Sequence, residues 1–219
     1  RRAFRSANFW EVKARLEVDG DAFPASLTHI NQRRVATARD FDENTGELKK
    51  PQSLELLHEK DAQALIARLQ GTPWAVLEVE RKSKSIRPSP PFATSTLQQE
   101  ANRKLSMSAS DTMRTAQRLY ERGLITYMRT DSTNLSQDAV ASVRDYITDK
   151  LGAEYLPDNP RQYSSKEGAQ EAHEAIRPTN PSKMEVSSDE RENRLYQLIM
   201  RRAVASQMKP AIFDVTRVM

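Results

Sequence analysis

The sequence predicts a mixed α+β chain in two parts, a small β-rich domain and a mainly helical one. Three observations carry that reading. Trp10 to Val18 alternates apolar and polar residues, the period of a half-buried strand. Arg81 to Pro91 is basic and rich in proline, which disfavours both helix interior and central strand and reads as a linker. From Ser95 onward, apolar residues recur at helical spacing between capping serines and glycine stops.

Taken in order, Asp19-Gly20 supplies a hairpin turn after the first strand, and Ala22 to Leu27 returns as its second arm. Residues 39–53 are polar and read as loop. Asp61 is expected to cap a short helix over Ala62–Leu69 with Gly71 just beyond it, and Trp74–Glu80 alternates again as a strand. Past the linker, Ser95-Thr96-Leu97-Gln98 has the form of a capping box opening a helix to Leu105. Ser108 or Ser110 caps a second helix over Thr112–Arg122, stopped by Gly123. Ser136 caps a third over Gln137–Leu151, closed by Gly152. Glu167 to Arg177 is expected to make one or two helical turns before Pro178. Ser187 or Ser188 opens the longest helix, to Gln207, with Leu195, Leu198, Ile199, Ala203 and Val204 on one side and Pro210 as its stop. Phe213–Met219 reads as a strand rejoining the amino-terminal part. The expected domains are therefore a discontinuous β-rich one, 1–90 and 208–219, and a helical one, 91–207.

Composition limits the function classes. The apolar fraction is 37%, below the roughly 45–50% of ordinary globular chains, and mean hydropathy is −0.74. A net charge of +4 from 34 basic and 30 acidic residues is compatible with a polyanionic partner without identifying one. With no cysteine, disulfides and thiolate metal sites are excluded and a reducing cytoplasm is the expected compartment. No apolar run reaches the ~18 residues that suggest a membrane helix, so no membrane partner is expected. The abrupt start at Arg1-Arg2 suggests a segment of a longer protein.

One string carries chemistry: Leu124-Ile125-Thr126-Tyr127-Met128-Arg129-Thr130-Asp131-Ser132-Thr133-Asn134-Leu135-Ser136. On an extended backbone, residues two apart point the same way, so Tyr127 and Arg129 share a face. A phenol can attack a phosphodiester. Because its pKa is about 10, phenolate is a better leaving group than an alkoxide, and a deoxyribose hydroxyl can reverse the resulting ester without an external energy source. A guanidinium supplies fixed donors to the phosphate oxygens as charge builds there. The same pair is also compatible with a packing tyrosine beside a solvated arginine. Arg114, Arg118 and Arg122 recur every four residues on the preceding helix, forming either a solvated face or a ridge tracking a nucleic-acid backbone. Asp131, Ser132 and Thr133 either orient Arg129 and bind phosphate or are ordinary helix-entry residues.

The string from Gln117 to Ser136 closely resembles the active-site motif of type IA DNA topoisomerases, in particular the bacterial topoisomerase I branch. Pro91 to Gln99 is similar to the family's entry into its nucleophile domain, and Ala172-His173-Glu174-Ala175-Ile176-Arg177-Pro178 to its second signature. Methionine at 128 favours topoisomerase I over topoisomerase III, which usually has proline there. The resemblance implies a helical nucleophile domain joined to a β-rich hinge domain within a toroidal enzyme. It implies that Tyr127 forms a 5′-phosphotyrosyl link to single-stranded DNA, that Arg129 stabilises the scissile phosphate, and that His173 supports the cleavage site. Arg177 then holds a neighbouring phosphate or caps a helix end. Segment 173–177 lacks the second histidine of HExxH, so no zinc site is implied.

The family's Toprim domain, with its glutamate, lysine and acidic Mg²⁺-binding cluster, has no match here; Asp19-Gly20-Asp21 sits at a hairpin tip and reads as a turn. The expected function is thus part of an ATP-independent isomerase that relaxes negatively supercoiled DNA by single-strand cleavage, strand passage and religation. In it Mg²⁺ is bound by the absent domain, none is bound by this chain, and the location is cytoplasmic and nucleoid-associated. Alone, the chain is expected to bind DNA weakly and cleave poorly or not at all. The alternative is a non-catalytic single-stranded-DNA-binding module that retains the fold.

Overall fold

A computed structural model describes residues 5–163 and 174–219. The chain divides into two compact units, residues 1–77 and 78–219.

In the first unit, β1 (Lys13–Val18) and β2 (Asp21–Ser26) form an antiparallel hairpin pairing Val18 with Asp21 and Lys13 with Ser26. Its two-residue turn has φ of 52° at Asp19 and 87° at Gly20. Positive φ at both central residues matches the right-handed twist of the strands, which is why Asp-Gly suits this place. A second sheet joins β3 (His29–Ile30), β4 (Arg33–Val35) and β5 (Leu54–Glu55), the last pair parallel. Residues 39–53, expected as loop, hold short 3₁₀ turns and a bridge between Phe41 and Leu48. Helix α1 (Glu59–Leu69) starts earlier than the sequence suggested. Its cap is His58, and Asp61 lies inside the first turn, accepting from the His58 amide at 3.4 Å. Val12, Val35, Leu57 and Ala62 make the small core.

In the second unit, β6 (Val79–Ile86) pairs along its whole length with β7 (Ala211–Val218), antiparallel, from Val79 opposite Val218 to Ile86 opposite Ala211. This corrects the linker reading of 81–86. The prolines begin at Pro88, beyond the strand, so their missing amides and fixed φ never reach it. Trp74–Glu78, expected as the start of a strand, lies outside any strand. The partner of β7 falls inside the expected 1–90 segment, while the compact division falls at Leu77.

Among the described residues, four α-helices follow: α2 (Thr94–Leu105), α3 (Ala109–Glu121), α4 (Gln137–Lys150) and α5 (Glu190–Ser206). Helix α2 begins one residue before Ser95, and Thr96 Oγ1 accepts from the Ala93 amide at 3.0 Å, half of a capping box. Ser108 caps α3 by accepting from the Asp111 amide at 3.1 Å, and Ser136 caps α4 through the Ala139 amide at 3.3 Å. At α5 the cap is Asp189, not Ser187 or Ser188; it accepts from the Arg191 amide at 2.8 Å. The helices enclose Phe92, Leu97, Leu119, Ile147, Leu195 and Ile199, all fully buried. Of the expected helical turns over 167–177, residues up to 173 lie outside the described residues. Ile176 and Pro178 are not helical but form bridges, to Phe92 and Ile125 respectively. Among the described residues, no helix is long and apolar enough to cross a membrane.

Candidate active site

The site begins where α3 stops. Gly123 adopts a φ of 68°, its amide bonds the Tyr120 carbonyl at 2.8 Å, and the Leu124 amide bonds the Leu119 carbonyl at 2.9 Å. This is the Schellman arrangement, satisfying orphan helix carbonyls and turning the chain sharply. Ile125 and Met128 then plunge into the core, each 1% exposed. Between them Tyr127 is turned outward, 45% exposed, and Arg129 is exposed beyond. Two buried anchors flanking an outward tyrosine restrict the backbone while leaving the phenol accessible.

Both sides of this segment are clamped. On one, the Thr94 amide donates to the Thr130 carbonyl at 2.9 Å, while Thr94 Oγ1 donates to the Met128 carbonyl at 2.7 Å and accepts from the Thr130 amide at 2.9 Å. On the other, the Thr126 amide donates to the Arg177 carbonyl at 2.9 Å, and Thr126 Oγ1 lies 2.7 Å from the Ala175 carbonyl and 3.0 Å from the Arg177 amide. The Thr179 amide reaches the Leu124 carbonyl at 3.0 Å. Chain segments far apart in sequence thus hold the residues on either side of Tyr127.

Tyr127 packs edge-on against Tyr120, with ring centroids 5.2 Å apart and planes at 63°, a favoured aromatic geometry. Arg129 has no hydrogen-bond or ion-pair partner among the described residues, so its donors are free for an incoming anion. Asp131 is exposed on the same stretch, whereas Ser132 is buried: its amide donates to Thr130 Oγ1 at 3.1 Å and its Oγ accepts from the Asn134 amide at 3.2 Å. Ser132 therefore shapes the turn in this conformation.

The predicted basic ridge divides. Arg114 is mostly solvent-exposed and pairs loosely with Asp111 at 3.5 Å. Arg118 and Arg122 instead converge on Glu192 of α5, each at 2.6 Å, and Arg122 also donates to the Val186 carbonyl at 2.6 Å. The Glu192 side chain is only 7% exposed. The hydrogen bond from Arg118, then one from Ser187, with the charges of both arginines, hold its carboxyl below the usual range. Glu192 was not legible as a partner, since it lies 70 or more residues from the arginines.

Arg177 is also engaged, donating to Glu174 at 2.8 Å and to the Pro178 carbonyl at 3.1 Å. Glu174 accepts from the Ser136 amide at 2.7 Å as well. Burial opposes its ionisation, but the bonds from Arg177 and Ser136 prevail and its pKa is lowered. His173 lies outside the described residues. Thr94, Thr126 and Glu174 are site-building residues for which the sequence suggested no role, although each sits in or beside a recognised string. Among the described residues, no three His, Asp or Glu side chains gather as a metal site.

The family model described as DNA topoisomerase matches residues 1–219. DNA topoisomerase 1 of Synechocystis sp. is 50% identical over 215 residues, covering 96% of this chain and 24% of that protein. DNA topoisomerase 1 of Mycolicibacterium smegmatis is 49% identical over 224 residues, with 96% and 24% covered. The solved structure of full-length topoisomerase I from Thermotoga maritima matches with a TM-score of 0.59 at 37% identity, over 75% of this chain and 27% of that one. The chain thus spans about a quarter of the length of the relatives it matches. Matched by the family model over residues 1–219 and about 50% identical to bacterial relatives over 96% of its length, this chain belongs to the type IA DNA topoisomerase family, alongside the bacterial topoisomerase I enzymes.

Proposed function

We propose that this chain supplies the nucleophile of a type IA DNA topoisomerase acting on single-stranded DNA. The Tyr127 oxygen attacks a backbone phosphorus. The bond to the 3′ oxygen breaks, the phenol gives up its proton, the leaving oxygen gains one as a 3′-hydroxyl, and a 5′-phosphotyrosyl link remains. Reversal of the same step reseals the strand without ATP, because the ester keeps the bond energy. Passage of another strand between the two steps relaxes negatively supercoiled DNA. The observation that carries this is the outward phenol of Tyr127 between two buried anchors, two residues before an exposed Arg129 that has no ion-pair or hydrogen-bond partner among the described residues.

In this reading Arg129 holds the scissile phosphate oxygens and His173 supports the cleavage site. Arg114 tracks the DNA backbone, with Arg118, Arg122 and Arg177 adding any donors their carboxylate partners leave free. Asp131 and Ser132 orient Arg129, Ser132 through its turn. The helical part, 91–207, serves as the nucleophile domain, and 1–90 with 208–219 as the hinge. Mg²⁺ and the proton-transfer groups belong to a Toprim domain elsewhere in the full-length protein, so the chain alone is nearly inactive. Tyr127→Phe in the full-length protein, with Mg²⁺ and a single-stranded oligonucleotide, abolishes the covalent adduct while noncovalent binding stays nearly unchanged. Mass spectrometry of the wild-type adduct locates the nucleotide on Tyr127. A tag on another residue overturns the assignment, and absence of any adduct with binding intact supports the non-catalytic module instead.

A further inference from the structure

At the end of α2 remote from the tyrosine loop, α2 and α5 enclose an open groove of about 490 Å³ lined by Lys104, Leu105, Arg194, Leu198, Arg201 and Arg202, with no acidic side chain in its lining. The four cations differ in state. The single carboxylate of Glu100 pairs with two of them, at 3.0 Å from Lys104 and 3.4 Å from Arg202, and is shared with Arg103 at 3.0 Å. Arg202 is fixed further by the Phe92 ring, 4.3 Å from its guanidinium carbon, and by the Pro90 carbonyl at 3.3 Å. Arg194 and Arg201 are exposed and have no ion-pair or hydrogen-bond partner among the described residues. Together with Arg191, also exposed and with no side-chain partner among the described residues, they lie along the outer side of α5. Its inner side, bearing Glu192, Leu195, Tyr196 and Ile199, is buried. The spacing 191, 194, 198, 201 places these residues on one helical face, so the free cations form a line, not a scatter.

We infer that this groove is a second DNA-backbone site, gripping phosphates of the DNA outside the cleaved stretch. The inference rests on the reading of the chain as part of a DNA-cleaving enzyme. Thr94, which clamps the tyrosine loop, and Leu105, which lines the groove, are separated by about 16 Å of helix at ~1.5 Å rise per residue. A phosphate seated here is therefore not the scissile one. Guanidinium groups on an apolar floor, with the neighbouring cations held in place by Glu100 and Phe92, suit the repeating anion of a sugar–phosphate chain. The groove is open and Gln197 is the one uncharged polar side chain in its lining, so the contact is mainly with phosphates and carries little sequence preference.

The test uses the full-length protein carrying Arg194→Glu and Arg201→Glu together, with Arg194→Gln and Arg201→Gln as the milder pair. Expected for the charge reversal is a loss of about tenfold in affinity for long single-stranded DNA and slower plasmid relaxation. The logarithmic salt dependence of binding becomes shallower by about 1.4 as two phosphate contacts to single-stranded DNA disappear. Covalent adduct formation on a short oligonucleotide confined to the cleavage site keeps its wild-type rate, and the Gln pair shows the same pattern more weakly. Unchanged affinity and salt slope overturn the inference. So does an equal loss on short and long DNA with a lowered melting temperature, which would mark the groove as structural. Failure of Tyr127→Phe to remove the adduct would overturn the nucleophile assignment while leaving the affinity and salt slope of Arg194 and Arg201 as a separate result.

Discussion

Thr94 Oγ1 donates to the Met128 carbonyl at 2.7 Å and accepts from the Thr130 amide at 2.9 Å, so one hydroxyl at the start of α2 binds the backbone on both sides of Arg129. These are partly buried bonds, whose loss leaves a carbonyl and an amide without partners at about 1–3 kcal/mol each when unsatisfied. Thr94→Val is expected to lower stability by about 2 kcal/mol in urea unfolding of this chain, and to slow adduct formation in the full-length protein. Thr94→Ser restores both. A full-rate Thr94→Val would show that the clamp does not matter for Tyr127.

The ring of Tyr120 rests edge-on against Tyr127 at 5.2 Å. Aromatic pairs of this kind contribute about 0.5–1.5 kcal/mol beyond area burial, so Tyr120→Ala should slow adduct formation roughly 2- to 10-fold. Tyr120→Phe keeps the ring and should stay near the wild-type rate. Equal losses in both variants would instead assign the effect to the hydroxyl.

Glu192 joins α3 to α5 by accepting from Arg118 and Arg122 at 2.6 Å each. Removing a buried partner of charged donors is costly, but the arginines are 42% and 46% exposed and reach water once released. The expected loss for Glu192→Ala is therefore about 2 kcal/mol, below the ~3–5 kcal/mol of a fully buried pair. Arg114→Ala, on the exposed part of α3, should be neutral for stability. Chemical denaturation of this chain measures both.

Acid should unfold the helical unit through its paired carboxylates. Glu100 is lowered to about 2, mainly by the hydrogen bond from Arg103 against a burial penalty, with Lys104 adding to it. Glu192 and Glu174 are lowered as well. A group with a depressed folded pKa contributes stability that is fully present above its unfolded value, near 4.5, and lost as pH falls through the folded value. The melting temperature should hold steady from pH ~7 to ~5 and fall between ~4.5 and ~2. The Glu100→Gln variant should show a smaller fall across that window. A flat profile would contradict the pairing.

Gly123 sits at a φ of 68° with open space around a built Cβ. Gly123→Ala therefore incurs backbone strain alone, about 1 kcal/mol, visible as a lower urea midpoint. A larger loss would point to displacement of Ile125 and Met128 from the core.

What the sequence determined by itself were features fixed by neighbours along the chain: the Asp19-Gly20 hairpin turn, the Ser108 and Ser136 caps and the Gly123 stop before the Tyr127 segment. Each depends on one residue's preferred dihedrals or on a side chain bonding an amide within a few positions. The helix starts at His58 and Asp189 differ from the Asp61 and Ser187 or Ser188 caps that the sequence suggests, because several polar residues stand near each end and local preference does not choose among them. Tertiary structure decided whatever needed a distant partner. It drew β6 out of an apparent linker by pairing it with β7, and turned two of the three arginines on α3 toward Glu192. It also buried Ser132, and set Thr94 and Thr126 as clamps on the tyrosine loop. A charged side chain spends its hydrogen bonds on whichever group the fold brings within ~3 Å, and that choice is not written in spacing along the chain.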